Sequence, residues 1–76
     1  MEIKEFIENF ANQFDDTDIS EIKADTVFKD LEEWSSLTVL SIIAMVEEEY
    51  DVVLKGDDLL NAATVEDVYN TVVSRL

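Results

Sequence analysis

The apolar residues of the first segment fall at Ile3, Phe6, Ile7, Phe10 and Phe14, spaced 3, 1, 3 and 4. The same spacing returns at Val39, Ile42, Ile43, Val46 and Tyr50. Such a pattern lines one face of an α-helix with apolar side chains. Neither stripe is long enough to hold a helix alone in water, so the two must close on each other or on a third element. That requirement constrains the chain more than any other feature. The third element is at the far end, where Val65, Val68, Tyr69, Val72 and Leu76 make another stripe. It begins at Thr64-Val65-Glu66-Asp67, with Thr64 at the N-cap and Asp67 where a capping box prefers Glu or Gln. Helices are expected over Glu2 to Phe14, Ser36 to Asp51 and Thr64 to about Arg75.

From Asp15 to Ser35 the periodicity fades. Asp15, Asp16, Thr17 and Asp18 favour turns, because their side chains compete for nearby backbone groups. Ile19, Ile22, Val27, Phe28, Leu31 and Trp34 recur through the segment and are expected to pin it to the core, with a short helical turn near Ser20 to Lys23. Asp51 to Lys55 reads as extended, and Gly56, the only glycine, breaks the pattern. Asp57 to Asn61 suits a short helix carrying Leu59 and Leu60. The fold class is therefore all-α: three main helices plus one short helix, with a long loop between the first two, in a single domain spanning residues 1–76.

Composition then bounds the function. There are 5 Lys or Arg against 19 Asp or Glu, a formal charge of −14, with no Cys, no His and no Pro. The charge opposes binding to the phosphate backbone of nucleic acid and to anionic membrane surfaces, so partners are expected to be basic. Absent Cys and His remove disulfides, thiolate zinc sites, the cysteine nucleophile and the imidazole base. A serine nucleophile usually needs that base, so an enzyme is not expected. At 47% hydrophobic residues the chain is too apolar for a disordered acidic tail. It is charged from Glu2 onward, and its longest uncharged run, Trp34 to Val46, is well short of the ~20 residues of a membrane helix. A cytoplasmic protein without a secretory leader is expected. The acidic cluster Asp15, Asp16, Asp18, Glu21 and Asp25 does not fit a calcium loop. Counted from Asp16, Ser20 takes the fifth position, Glu21 the sixth and Val27 the twelfth, where the motif needs a ligand, a Gly and a Glu.

One constellation stands out. In Trp34-Ser35-Ser36-Leu37, two serines meet the start of the second helix. A Ser is a favoured N-cap, and one suffices. If Ser35 caps, the Ser36 hydroxyl is free in the first turn, where the helix dipole and open N–H groups favour an anion such as a phosphodiester. The helix also carries a second apolar stripe, Leu37, Leu40 and Ala44, which is either buried as well or a docking surface. Glu47, Glu48 and Glu49 close it, against the sense of the macrodipole.

At this point the chain resembles the acyl carrier proteins and the related peptidyl and aryl carrier domains. The resemblance rests on Phe28-Lys29-Asp30-Leu31, Ser36-Leu37, the apolar run to Val46, Glu47-Glu48-Glu49-Tyr50 and the helix start at Thr64. It implies an acyl-carrier-like bundle in which Ser36 takes a 4'-phosphopantetheine arm from coenzyme A through a phosphopantetheinyl transferase. The arm's thiol then holds an acyl group as a thioester, in fatty-acid, polyketide or another specialised acyl biosynthesis. It also implies docking through Leu37, Leu40, Ala44, Glu47 and Glu48 onto basic patches of acyl-transferring, ligase or ketosynthase enzymes. Val46, Leu54, Leu59, Ala62 and Tyr69 would shelter a bound chain, and the carrier would be a monomer with no metal.

This chain departs from the family pattern at several positions. Ser35 replaces the signature Asp, and Thr38 and Ser41 stand where fatty-acid carriers place acids. Trp34 takes a usually small position and is expected to plug the core end of the loop. Partners outside the standard fatty-acid set are expected. The alternative is a non-carrier acidic module, a degenerate carrier or polyanion mimic, whose salt-sensitive binding to a basic partner would survive Ser36→Ala. In either case, self-repulsion at −14 weakens the fold at low salt. The melting temperature is expected to rise on adding salt or divalent cations; a value flat from low to moderate ionic strength counts against this.

Overall fold

The first apolar stripe forms α1, Ile3–Ala11. A computed structural model of the chain describes residues 2–76. Phe6, Phe10 and Ala11 are buried on the inner face of α1. The helix ends sooner than its stripe. Beyond Ala11 the chain tightens, with Gln13 N–H donating to the Phe10 carbonyl at 3.2 Å and Phe14 N–H to Ala11 at 3.0 Å. That turn keeps Phe14 buried although it lies outside the helix.

The second stripe forms α2, Ser36–Tyr50, closed by Asp51 in the left-handed conformation at φ 56°, which a short polar side chain tolerates. Its buried face is Thr38, Ile42, Met45 and Val46. This is rotated from the expected stripe: Val39, Ile43 and Tyr50 are only half-buried. A short α3, Gly56–Asn61, buries Leu59. The last helix, α4, Val65–Ser74, buries Val65, Val68 and Val72. Leu76, expected in that stripe, lies past the helix end and is exposed. α1 packs against both α2 and α4, and α3 packs between α2 and α4. Asn9 Nδ2 donates to the Tyr50 hydroxyl at 2.8 Å, tying α1 to the end of α2. Among the described residues no strand forms, and no helix is long and apolar enough to cross a membrane.

The long connection between α1 and α2 is fastened at several points. It contains two single-turn 3-10 helices, Ile19–Glu21 and Phe28–Asp30. Ile22 and Phe28 enter the core, whereas Ile19 and Val27, expected to do the same, remain 49% and 45% exposed. The connection is also held through its backbone: Ala24 and Thr26 offer their carbonyls to the first free N–H groups of α4. Glu66 N–H donates to Ala24 at 2.8 Å and Val65 N–H to Thr26 at 3.2 Å. Lys29 Nζ donates to the Leu60 carbonyl at 2.7 Å and so holds the second turn to α3.

Two helix starts rely on carboxylates. Asp67 accepts from the Ala63 and Thr64 N–H groups at 3.0 and 3.1 Å while Thr64 Oγ1 accepts from Asp67 N–H, so the shorter Asp completes the capping box. Asp58 accepts from Lys55 N–H at 2.8 Å and binds Arg75 through both oxygens at 2.8 Å. Arg75 also reaches the Val53 carbonyl, so this fork joins α3, the extended segment and the end of α4. The Arg75 guanidinium and the Lys55 N–H hold the Asp58 carboxyl down at about 2, against an ordinary 3.8. A lowered folded-state pKa stabilises the fold above the unfolded value and ceases to do so as pH falls through the folded one. Asp58→Asn is therefore expected to melt modestly lower than wild type at neutral pH. The gap should close between pH about 4 and about 2, tracked by thermal melts across that range. A gap independent of pH would contradict the assignment.

Candidate functional site

The start of α2 is set by the residues just before it. Trp34 N–H donates to the Leu31 carbonyl at 3.0 Å, and the Trp34 ring meets Phe28 edge-on at 4.7 Å between centroids. Trp34 thus plugs the loop end as expected, but it stays half-buried and also walls a surface groove. Ser35 has extended backbone, φ −154° and ψ 174°, as an N-cap does. Its Oγ accepts from Thr38 N–H at 3.4 Å and lies 3.3 Å from Thr38 Oγ1. Thr38 Oγ1 donates to the Glu33 carbonyl at 2.8 Å, so its proton is engaged and Ser35 is the donor in the hydroxyl pair. Thr38 is buried. It faces the turn and the core, and does not stand in for an acid on the exposed face.

With Ser35 as the cap, Ser36 is the first residue of α2 and is exposed. No other described residue hydrogen-bonds its hydroxyl. In a chain of charge −14, the first turn of α2 contains no acidic residue. The positive end of the helix dipole there has no carboxylate within the first turn to offset it.

A groove of about 300 Å³ opens beside Ser36. Trp34 and Ser36 form one end, Val39 and Leu40 one wall, and Gly56, Leu59 and Leu60 the other. A Cβ on Gly56 would meet no atom within 4 Å, so packing does not require glycine, and its missing side chain leaves the groove wider. Of the residues expected to shelter a chain, only Leu59 lines this groove. Val46, Leu54 and Ala62 are core residues, and Tyr69 is half-buried elsewhere. The sequence reading missed Gly56 and Leu60 as groove residues. Its one usable sign was a lone glycine opening a short helix with two adjacent leucines.

The second apolar stripe of α2 is not buried in the bundle. Leu37 is 77% and Leu40 62% exposed, and Ala44, Glu47 and Glu48 are exposed along the same helix. The face is therefore apolar near Ser36 and acidic at the far end.

Comparison with protein-family models identifies the family of the chain. The model described as the phosphopantetheine attachment site matches residues 5–72, nearly the whole chain. The chain belongs to the phosphopantetheine-binding carrier family. No curated protein and no solved structure matched it. Members of this family carry covalent phosphopantetheine and perform no catalysis of their own, so the chain is a carrier and not an enzyme. The residues at the head of α2 fit that group: an exposed hydroxyl, a helix N-terminus with no acid in its first turn to oppose a phosphodiester, and an apolar groove beside them. When bound, the group supplies a thiol for thioester formation, which a chain without Cys cannot provide.

The two serines are expected to differ in stability terms. Ser35→Ala removes the cap and is expected to lower stability by about 1 kcal/mol. Ser36→Ala, at an exposed helical position, is expected to stay within about 0.5 kcal/mol of wild type. Urea unfolding of both variants measures this; an equal loss in both would overturn the assignment of roles.

Proposed function

We propose that this carrier takes its phosphopantetheine on Ser36 and shuttles acyl groups between the enzymes of a specialised acyl-biosynthetic pathway. The observation that carries the reading is the division of labour between the serines: Ser35 is occupied as the cap and Ser36 is left exposed and unbonded beside an apolar groove. In the loading step the Ser36 oxygen forms a bond to phosphorus and a pyrophosphate bond of coenzyme A breaks. The adenosine bisphosphate half leaves, and the hydroxyl proton passes to a base on the phosphopantetheinyl transferase. Here the helix N-terminus favours the anionic phosphodiester, and the apolar walls favour an acyl chain over water.

Leu37, Leu40, Ala44, Glu47 and Glu48 form the docking face in this reading. Its partners are the transferase and acyl-transferring, ligase or ketosynthase enzymes whose surface is apolar opposite Leu37 and Leu40 and basic opposite Glu47 and Glu48. Because charge is confined to one end, partner affinity depends on salt less steeply than in a carrier with acids along the whole helix. The domain acts as a cytoplasmic monomer comprising residues 1–76.

Incubation with coenzyme A and a broad-specificity transferase is expected to add the mass of one phosphopantetheine to wild type and to Ser35→Ala, and nothing to Ser36→Ala. Intact-mass spectrometry reads the result. Continued modification of Ser36→Ala would overturn the site, and failure of wild type with several transferases would overturn the carrier role.

A further inference from the structure

Glu33 does two things at once, on two sides of the site. Its carboxylate accepts from Asp15 N–H at 3.0 Å, Asp16 N–H at 2.9 Å and the Thr17 hydroxyl at 2.5 Å. Those donors belong to the turn that follows α1, so the side chain bridges 16 to 18 residues back along the sequence. Its carbonyl accepts from Thr38 Oγ1, which is paired in turn with the Ser35 cap. The Thr17 hydroxyl, followed by the Asp16 N–H, holds the Glu33 carboxyl below the ordinary carboxylate range, as expected for an ionised acceptor of three donors.

We propose that Glu33 is a positioning residue for the modified serine: its carboxylate anchors the end of the long connection to the turn after α1, and its carbonyl thereby fixes the Thr38–Ser35 cap and the direction in which Ser36 is presented. This rests on Ser36 being the attachment residue. A capped helix start needs only the Ser35 and Thr38 contacts. The additional bridge explains why a carboxylate sits next to the anion-favouring end of α2: the three bonds it accepts all come from the turn after α1. Its neighbour Glu32 carries the same charge and makes none of these bonds. Positional precision matters for group transfer, because small displacements of a reacting atom reduce rates steeply.

The test compares Glu33→Ala, Glu33→Gln, Glu32→Ala and Ser36→Ala in the full chain. The first readout is kcat/KM for transfer from coenzyme A, followed by intact mass. Glu33→Ala is expected to transfer about tenfold more slowly than wild type. Glu33→Gln, which keeps one acceptor oxygen, falls in between, and Glu32→Ala is expected to match wild type. The second readout is amide hydrogen exchange, which does not depend on modification. In Glu33→Ala, exchange is expected to rise about tenfold at Thr38 and Val39 while Val68 and Val72 in α4 are unchanged. A wild-type transfer rate in Glu33→Ala, an equal loss in Glu32→Ala, or unchanged exchange at Thr38 and Val39 would each overturn the proposal. A uniform rise through α4 would reduce Glu33 to a general stabilising role and overturn it too. Should Glu33→Ala fail to fold, Glu33→Gln carries both measurements. If Ser36→Ala is still modified, the attachment site is wrong, and the exchange result alone decides the role of Glu33.

Discussion

All seven aromatic side chains of the protein belong to one connected chain of ring contacts. Phe6 touches Tyr50 of α2, Tyr69 of α4 and Phe10 on its own helix; Phe10 touches Phe14 and Phe28; Phe28 touches Trp34. Everything else depends on this chain. A domain this small has little surface to remove from water, and aromatic rings supply the largest apolar area per residue. Its path is also directional. It enters from α4, crosses the two buried rings of α1, and leaves through the long connection at the groove beside Ser36. The helices are thus assembled by the same contacts that position the head of α2.

The connection is ordered because its polar groups are used as fully as its apolar ones. Its carbonyls accept from the first N–H groups of α4, which have no partner within that helix, Lys29 reaches across to α3, and Glu33 clasps the turn after α1. Charge follows the same division. Asp18, Asp58 and Asp67 each satisfy backbone N–H groups, so part of the −14 does structural service, while Glu47 to Glu49 face solvent. The first turn of α2 is left without acid.

Elements governed by periodicity were legible in the sequence. Phe6, Phe10, Val65, Val68 and Val72 sit where a 3.6-residue repeat puts them. The same logic misjudged α2 by a fraction of a turn, because a helix apolar on two sides does not declare which side is covered. Exposed Leu40 and buried Met45 differ only in what packs over them. Ile19 and Val27 were misread in the loop for a related reason: with no repeat, apolar character alone cannot separate them from Ile22 and Phe28. The Ser35-Ser36 pair was legible through capping chemistry. The groove was not, since Gly56, Leu59 and Leu60 reach Ser36 only through the docking of α3 on α2. Glu33 left no mark in any pattern, because a carboxylate grasping backbone N–H groups far back in the chain has no characteristic spacing.

The position of Ser36 as the first residue of α2, with its cap supplied by a neighbour, has a mechanical consequence. On the proposed attachment, a substituent on that hydroxyl would replace no hydrogen bond within the described chain and displace no buried atom, so neither the cap nor the core contacts need to change to admit it. On that reading, the tether and the groove beside Ser36 are the features that would tell a partner an empty carrier from a charged one.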